Sequence, residues 1–180
     1  MKIEISPGTY TNTVNGVTRA VPNSAQDDFL YMNWEEDKKE FSVGMPGGKN
    51  YTVSRKNDSE ESVYLVTEYY RDRRIKEIEV DVNSVNVHSA SFSEMLALSV
   101  YTDEVGATKD FRFNIGSALG YMSGNENEGM YTDIKYDYYK ALQELMKGNM
   151  RSDSYQYYLS LKSFFDYYDK EDRGVPSLLL

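Results

Sequence analysis

The chain of 180 residues contains no cysteine and one histidine, His88. The absence of cysteine excludes disulfides, thiolate nucleophiles and zinc–thiolate sites. A lone histidine excludes every metal site built from a histidine pair, including the H-E-x-x-H motif. These absences remove the commonest enzyme and metal-binding signatures, so we expect a protein without a cofactor that works by binding.

Long apolar segments are lacking as well. A membrane-spanning helix needs about 20 consecutive apolar residues, and no run in the chain approaches that length. Residues 1–5 read Met-Lys-Ile-Glu-Ile, which is not the apolar core of a secretory signal. Together with the absence of cysteine, these features predict a cytoplasmic protein that has no membrane partner.

Negative charge dominates the composition, with 29 acidic against 20 basic side chains and a net charge of -9. This balance argues against non-specific clamping of nucleic acid, which depends on Lys and Arg neutralising phosphates. One interpretation is that the acidity serves solubility. The other is that an acidic surface mimics nucleic acid and docks into the basic groove of a DNA-processing enzyme.

Tyrosine is in marked excess, at 17 residues against one tryptophan and seven phenylalanines. Tyrosine is favoured both in half-buried strands and at interfaces, because it joins a rigid ring to a hydroxyl group. The excess therefore fits either a sheet or a recognition surface.

The first 115 residues have the alternation and turn signals of β structure. Asn15-Gly16 lies between two β-prone runs and predicts a hairpin, since both residues tolerate positive φ. A second hairpin is predicted for residues 29–45, with a helix from Ser24 as the alternative. Residues 51–55 read as a further strand, and residues 62–70 are predicted to pair with 75–82 across a basic bend.

Residues 91–115 support two interpretations. The runs 96–101 and 111–115 resemble another hairpin around Gly106. The competing prediction is a short helix from Ser91, because Ser91 and Glu94 have the spacing of a capping box.

The C-terminal part changes to helical periodicity. Residues 116–131 are rich in Gly and Asn and are predicted to be a loop. Helical spacing then begins at Ile134. A second helix is predicted from Ser154 to Asp169, with core residues Tyr155, Tyr158, Leu159, Leu161 and Phe165. The fold class predicted is α+β, with antiparallel β-hairpins in a meander sheet followed by a pair of helices. We expect one domain over 1–180, made of a β-rich body (1–115), a loop (116–131) and a helical hairpin (132–174).

Candidate catalytic and metal-binding residues are few. Glu77, Glu79 and Asp81 share one strand face and are the best carboxylates for Mg²⁺ or Ca²⁺, although such a face is commonly just solvated. His88 is the sole candidate for acid–base catalysis, as in a metal-independent RNA-processing reaction, and its alternative role is structural. Asp133-Ile134-Lys135 echoes part of a nuclease pattern, but Asp133 at a helix start is explained by the helix dipole.

The strongest binding candidate is the bend between the two long strands, where cations and aromatic rings adjoin in an acidic chain. Arg guanidinium groups grip phosphates and tyrosine rings stack on unpaired bases, so the bend predicts contact with RNA or with a protein partner. Arg55 and Lys56 are expected on the neighbouring strand. The alternative is a solvated hairpin tip whose charges pair with nearby carboxylates. The candidate binding residues are Tyr69, Tyr70, Arg71, Arg73, Arg74 and Lys76.

The whole profile resembles that of the anti-CRISPR proteins that phages and mobile elements direct against type II-A Cas9. The likeness rests on the start Met-Lys-Ile-Glu-Ile, the Asn15-Gly16 hairpin and the tyrosine-rich C-terminal helices. The resemblance implies a protein of the bacterial host cell that binds Cas9 or its guide-RNA complex. It further implies inhibition by blocking target DNA, or by interfering with the guide RNA or promoting its shortening. A structural or accessory phage protein is the alternative without an inhibitory role.

Overall fold

The computed structural model describes residues 9–14, 17–22, 31–35, 37, 39–45, 48–57, 62–71, 73–123, 134–149 and 155–172. Within them, seven strands precede four α-helices, which confirms the predicted α+β class. The strands are β1 (Thr9–Val14), β2 (Val17–Pro22), β3 (Tyr31–Glu35), β4 (Glu40–Met45), β5 (Lys49–Arg55), β6 (Val63–Tyr70) and β7 (Arg73–Asp81). The helices are α1 (Phe92–Glu104), α2 (Ile115–Ser123), α3 (Tyr138–Asn149) and α4 (Tyr155–Asp172). Short 3-10 helices lie at Val82–Ser84 and Phe111–Asn114.

Both N-terminal hairpins form as predicted. β1 pairs antiparallel with β2 and places Val14 opposite Val17, while Asn15 and Gly16 lie outside the described residues. β3 pairs antiparallel with β4, with Trp34 opposite Phe41. The alternative helix from Ser24 would begin outside the described residues.

Strands β3 to β7 form one antiparallel meander in which each strand pairs with the next along the chain. Side-chain alternation puts one face of this sheet against the helices and the other face away from them. The predicted pairing of 62–70 with 75–82 is confirmed, with Val66 opposite Ile78. The buried residues of the helix-side face include Phe41, Val43, Tyr51, Val53, Tyr64, Val66 and Val80.

Helix α1 packs across this face and corrects one sequence prediction. Residues 96–101, predicted as a strand, lie inside α1, and residues 111–115 form a 3-10 helix and the start of α2. The capping box settles the conformation: Glu94 N donates to Ser91 Oγ, and Ser91 N donates to Glu94 Oε2. Most of α1 is buried, so its apolar run lacks the one-sided period that distinguishes a helix from a strand.

The predicted loop 116–131 is wrong over residues 116–123, which belong to α2. Gly116 and Gly120 lower helix propensity, but Ile115, Ala118 and Leu119 are fully buried, and this packing outweighs propensity. The remainder of that predicted loop, residues 124–131, lies outside the described residues.

Helices α3 and α4 fit the predicted helical hairpin. Leu161, Phe164 and Phe165 face the core, and Phe111 stacks on Phe164 with 4.3 Å between ring centroids. Tyr155 and Leu159, predicted as core residues, are exposed instead. None of the helices in the described part of the chain is both long and apolar enough to cross a membrane.

Candidate functional site

The predicted basic bend is the tip of the β6–β7 hairpin. Tyr70 is opposite Arg73, and Arg71, which follows β6 directly, has a φ of 47°. The backbone N–H of Arg71 donates to the Gly48 carbonyl oxygen at 3.1 Å, which fastens the tip to the turn before β5. The tip is therefore a supported hairpin end, and Asp72 lies outside the described residues.

The register divides the predicted binding residues between the two faces of the sheet. Tyr70 and Arg73 are directly opposite and share the helix-side face, whereas Tyr69 shares the other face with Arg74. The Arg71 guanidinium lies 5.4 Å from the centroid of the Tyr70 ring, in a cation–π contact. The bend consequently presents two small surfaces rather than the single cluster that the linear sequence suggests.

The two surfaces differ in whether their arginine forms an ion pair within the described part of the protein. On the outer side, Arg74 forms an ion pair with Glu77 in the same strand. On the helix side, Tyr70 is 42% exposed and Arg73 is exposed, with no ion pair for Arg73 among the described residues. The helix-side surface is the better candidate for contact with an anionic partner.

Arg55 lies on the neighbouring strand β5, as predicted, and Lys56 follows it directly, but both are far from the bend. β5 begins at the tip and ends at the opposite end of the sheet, so Arg55 pairs in register with Tyr64. Lys56 there forms an ion pair with Glu79 at 2.9 Å. The cation that β5 contributes near the bend is Lys49, opposite Tyr70.

Lys49 belongs to an open cleft of about 510 Å³ between the hairpin tip and the N-terminus of α1. Its Nζ lies 3.2 Å from a carboxylate oxygen of Glu68, which is 7% exposed. Lys76 lies opposite Glu68 in the register and lines the same cleft. The lining residues are Lys49, Glu68, Tyr70, Ile75, Lys76, Ile78, Ser91 and Ser93.

Ile75 enters this cleft because of a β-bulge. Glu68 pairs with Lys76 and Tyr69 with Arg74, which leaves Ile75 as the extra residue of β7. Its side chain is 60% exposed, although the residue is strongly apolar. Sequence analysis identified Tyr70 and Lys76 but missed Lys49, Ile75 and Ser93, because only the strand register and the path of α1 bring them together.

The candidate catalytic residue His88 contacts the start of α3 and none of the described residues of the bend. Its Nδ1 is 3.3 Å from Asp137 Oδ1, and its ring is 4.8 Å from that of Tyr139, between centroids. Asp137 Oδ1 also accepts a hydrogen bond from Lys140 N in the first turn of α3. These contacts join the segment before α1 to α3.

The carboxylates of β7 are engaged in local interactions. Glu77 pairs with Arg74, Glu79 pairs with Lys56, and Asp81 accepts a hydrogen bond from Asn83 N. In the described ranges, no group of three His, Cys, Asp or Glu side chains has the arrangement of a metal site. Asp133, the other predicted acidic candidate, lies outside those ranges, while Lys135 pairs with Glu94.

A partly buried polar cluster occupies the end of the sheet opposite the tip. The hydroxyl of Tyr64 donates to Glu104 Oε2, which also accepts from Arg55 at 3.0 Å. Burial, reinforced by the Glu104 carboxylate, raises the pKa of Tyr64 well above its ordinary value. Tyr64 is fully buried, so this cluster fixes α1 to the sheet rather than forming a reaction site.

These features place the accessible binding chemistry at the tip and in its adjoining cleft. Comparison with known proteins adds no relative: no family model, curated protein or solved structure matches the chain.

Proposed function

We propose that this protein acts by binding and inhibits a Cas9–guide RNA complex through the β6–β7 tip. The observation that carries the proposal is local charge. Residues 69–76 hold four cations and one carboxylate in a chain whose net charge is -9. The target follows from the resemblance to anti-CRISPR proteins, and the mode of action follows from the chemistry of the tip.

The tip has the two elements that contact with RNA requires. Arg71 and Arg73 supply guanidinium groups that bind phosphate oxygens in a bidentate manner. The exposed ring of Tyr70 supplies a face on which an unpaired base stacks. A hairpin end fastened through Gly48 presents these groups at low entropic cost. Contact with the guide RNA is the mode of inhibition that this chemistry supports best.

Nucleic-acid mimicry by acidic residues is the second proposal, and β7 favours it less. A mimic presents carboxylates that are available to a basic groove. On β7, Glu77 and Glu79 already pair with Arg74 and Lys56. The acidity of the chain then serves solubility, and the basic tip carries recognition.

A target-cleavage assay with purified Cas9–guide RNA complex tests the proposal. We expect the protein to inhibit cleavage, and the double variant Arg71→Glu/Arg73→Glu to lose inhibition by at least about tenfold, because two phosphate contacts become repulsive. Inhibition should also weaken as salt rises. The control is Lys140→Glu, an exposed charge reversal in α3.

Full cleavage at a large molar excess of the protein would contradict Cas9 as the target. Equal inhibition by the double variant and the wild type would contradict the tip as the contact. The guide RNA should be examined on a denaturing gel in the same reactions. A shortened guide, abolished by the double variant, would show that inhibition proceeds through guide-RNA processing.

A further inference from the structure

The cleft beneath the tip has the features of a small anion-binding site. It lies at the N-terminus of α1, a helix of 13 residues, and Ser91 and Ser93 of that helix line it. The aligned peptide dipoles of a helix give its N-terminus a partial positive charge, which attracts anions. Lys49 and Lys76 line the opposite wall, against the single carboxylate of Glu68.

The capping box leaves part of the helix end available. It engages the backbone N–H groups of Ser91 and Glu94, and Met95 N donates to Ser91 O. In the described part of the chain, the N–H groups of Phe92 and Ser93 have no hydrogen-bond partner. Two adjacent N–H groups at a helix start are the donors that proteins use to hold a phosphate group.

Ser93 provides an independent indication of a ligand. The residue is 6% exposed and lines the cleft, and its hydroxyl has no hydrogen-bond partner among the described residues. The Ser93 Oγ is not one of the fully buried side-chain atoms that lack a partner, so the hydroxyl retains accessible surface where the residue lines the cleft. It is therefore placed to donate to a ligand oxygen there.

The remaining lining residues suit an aromatic group attached to the anion. Tyr70 is 42% exposed and Ile75 is 60% exposed, so the cleft mouth carries an accessible ring and an apolar side chain. A nucleobase stacks on tyrosine and packs on isoleucine. A cleft of about 510 Å³ lies in the size range of small-ligand sites.

From this combination we propose that the cleft binds the 5′-phosphate of a nucleotide. The phosphate is held by Ser93, the α1 N-terminus and Lys76, and the base rests against Tyr70. The nucleotide is either free or the 5′ end of an RNA strand, since the phosphate and base are the same. This site is independent of the identity of the inhibited enzyme, because it concerns a ligand of the isolated protein.

Titration of isotope-labelled protein with adenosine 5′-monophosphate, followed by NMR, tests the site. We expect the backbone amide signals of Phe92 and Ser93 to shift, with Kd at or below about 1 mM. Ser93→Ala and Lys76→Gln should each weaken binding by about fivefold to tenfold. The matched control Lys56→Gln removes a cation from the far end of the sheet and should leave Kd unchanged.

Other ligands test separately the contacts to the phosphate, the contact to the base, and whether the nucleotide is free or an RNA end. Inorganic phosphate should bind more weakly than the nucleotide, and Tyr70→Ala should reduce the nucleotide's affinity to that of phosphate. A short RNA with a 5′-phosphate that binds more tightly than the mononucleotide identifies an RNA end as the ligand, whereas equal affinity identifies a free nucleotide. An RNA of the same sequence with a 5′-hydroxyl should bind much more weakly.

The proposal is overturned if the nucleotide causes no shift in these amides, or if Lys76→Gln and Ser93→Ala both bind as the wild type does. Ser93 is buried, so its variant needs a thermal-unfolding check first. If Ser93→Ala does not fold, Lys76→Gln decides the question, because Lys76 is exposed and its loss is not expected to disturb the core.

Discussion

The two ends of α1 rest on opposite ends of the sheet, and each meets a cation of β5 in a different setting. At the C-terminal end, Arg55 reaches Glu104 of α1 itself, and the buried hydroxyl of Tyr64 shares that carboxylate. At the N-terminal end, Lys49 pairs with Glu68 inside the sheet, beside an open cleft. The two ion pairs are buried to a similar degree, with side-chain exposures of 30% and 12% for Arg55 and Glu104 and of 35% and 9% for Lys49 and Glu68. They differ in their surroundings, because the second pair lines the cleft.

The difference follows from what α1 contributes at each end. Its last residue, Glu104, places a carboxylate against Arg55 and Tyr64 of the sheet. Its first turn contributes serines and unpaired N–H groups, which attract a ligand but do not fill the cleft. The C-terminal end should therefore govern stability, and the open N-terminal end should govern binding.

The largest effect is expected from Glu104→Ala. The substitution leaves the buried Tyr64 hydroxyl and the Arg55 guanidinium without their shared acceptor. We expect a loss of about 2–3 kcal/mol in the free energy of unfolding, the range for a buried donor left unsatisfied. Urea denaturation followed by circular dichroism measures it.

The control for that variant is Glu144→Ala, which breaks the exposed pair with Lys147 within α3. Surface pairs of this kind contribute little, so we expect a change below about 0.5 kcal/mol. A similar loss in both variants would contradict the C-terminal end of α1 as a determinant of stability.

A smaller effect is expected from the capping box, which belongs to the open end. Ser91→Ala removes the acceptor for Glu94 N and should cost about 1 kcal/mol of stability. The effect is smaller than that of Glu104→Ala because water can reach the groups at the helix start. Urea denaturation at neutral pH measures it, and a loss equal to that of Glu104→Ala would contradict this ranking.

The same box predicts a dependence on pH. Burial opposes ionisation of Glu94, but hydrogen bonds from Ser91 and Lys135 outweigh it and lower the pKa of the carboxyl group. A lowered folded pKa gives stability that is complete above the unfolded pKa of about 4.3 and is lost as pH falls through the folded pKa. The stability difference between wild type and Glu94→Gln should therefore shrink from pH ~6 to pH ~3. A stability difference that stays constant between these pH values would contradict the predicted role of the Glu94 carboxylate.

The parts of this fold that short segments specify are predictable from the sequence. The Asn15-Gly16 hairpin and the pairing of β6 with β7 depend on turn chemistry and on alternation, both of which are visible in short segments. The capping-box spacing of Ser91 and Glu94 was also visible, but it competed with β-prone residues of α1. Burial on most sides removed the helical period that would have decided between the two.

The cleft could not be predicted from the sequence, because its residues are far apart along the chain. Lys49, Lys76 and Ser93 come from three separate elements, and no spacing relates them. Their proximity depends on the register of β5, β6 and β7, including the bulge at Ile75, and on the direction of α1. The linear run of the bend instead suggested one cluster, although alternation sends Tyr69 and Tyr70 to opposite faces.

Among the variants at the two ends of α1, the smallest effect on stability is expected from Glu68→Gln. Lys49 and Lys76 are partly exposed or exposed, so both can turn toward water when the carboxylate is lost. We expect a stability change of about 0.5 kcal/mol, because the lost attraction to the partly exposed Lys49 is offset by the smaller cost of burying a neutral amide at a position that is 7% exposed. The affinity for adenosine 5′-monophosphate should instead rise about fivefold, because the one negative charge in the cleft is removed.

The matched control is Glu79→Gln, which frees Lys56 at the far end of the sheet and should leave nucleotide affinity unchanged. Denaturation and NMR titration of both variants give the two quantities together. Suppose that Glu68→Gln destabilises the protein as much as Glu104→Ala and leaves the affinity for adenosine 5′-monophosphate unaltered. The Lys49–Glu68 pair would then serve to stabilise the fold, and not to bind a ligand. If stability holds and affinity rises, the sheet has one end that holds the fold together and another that is kept open for a ligand.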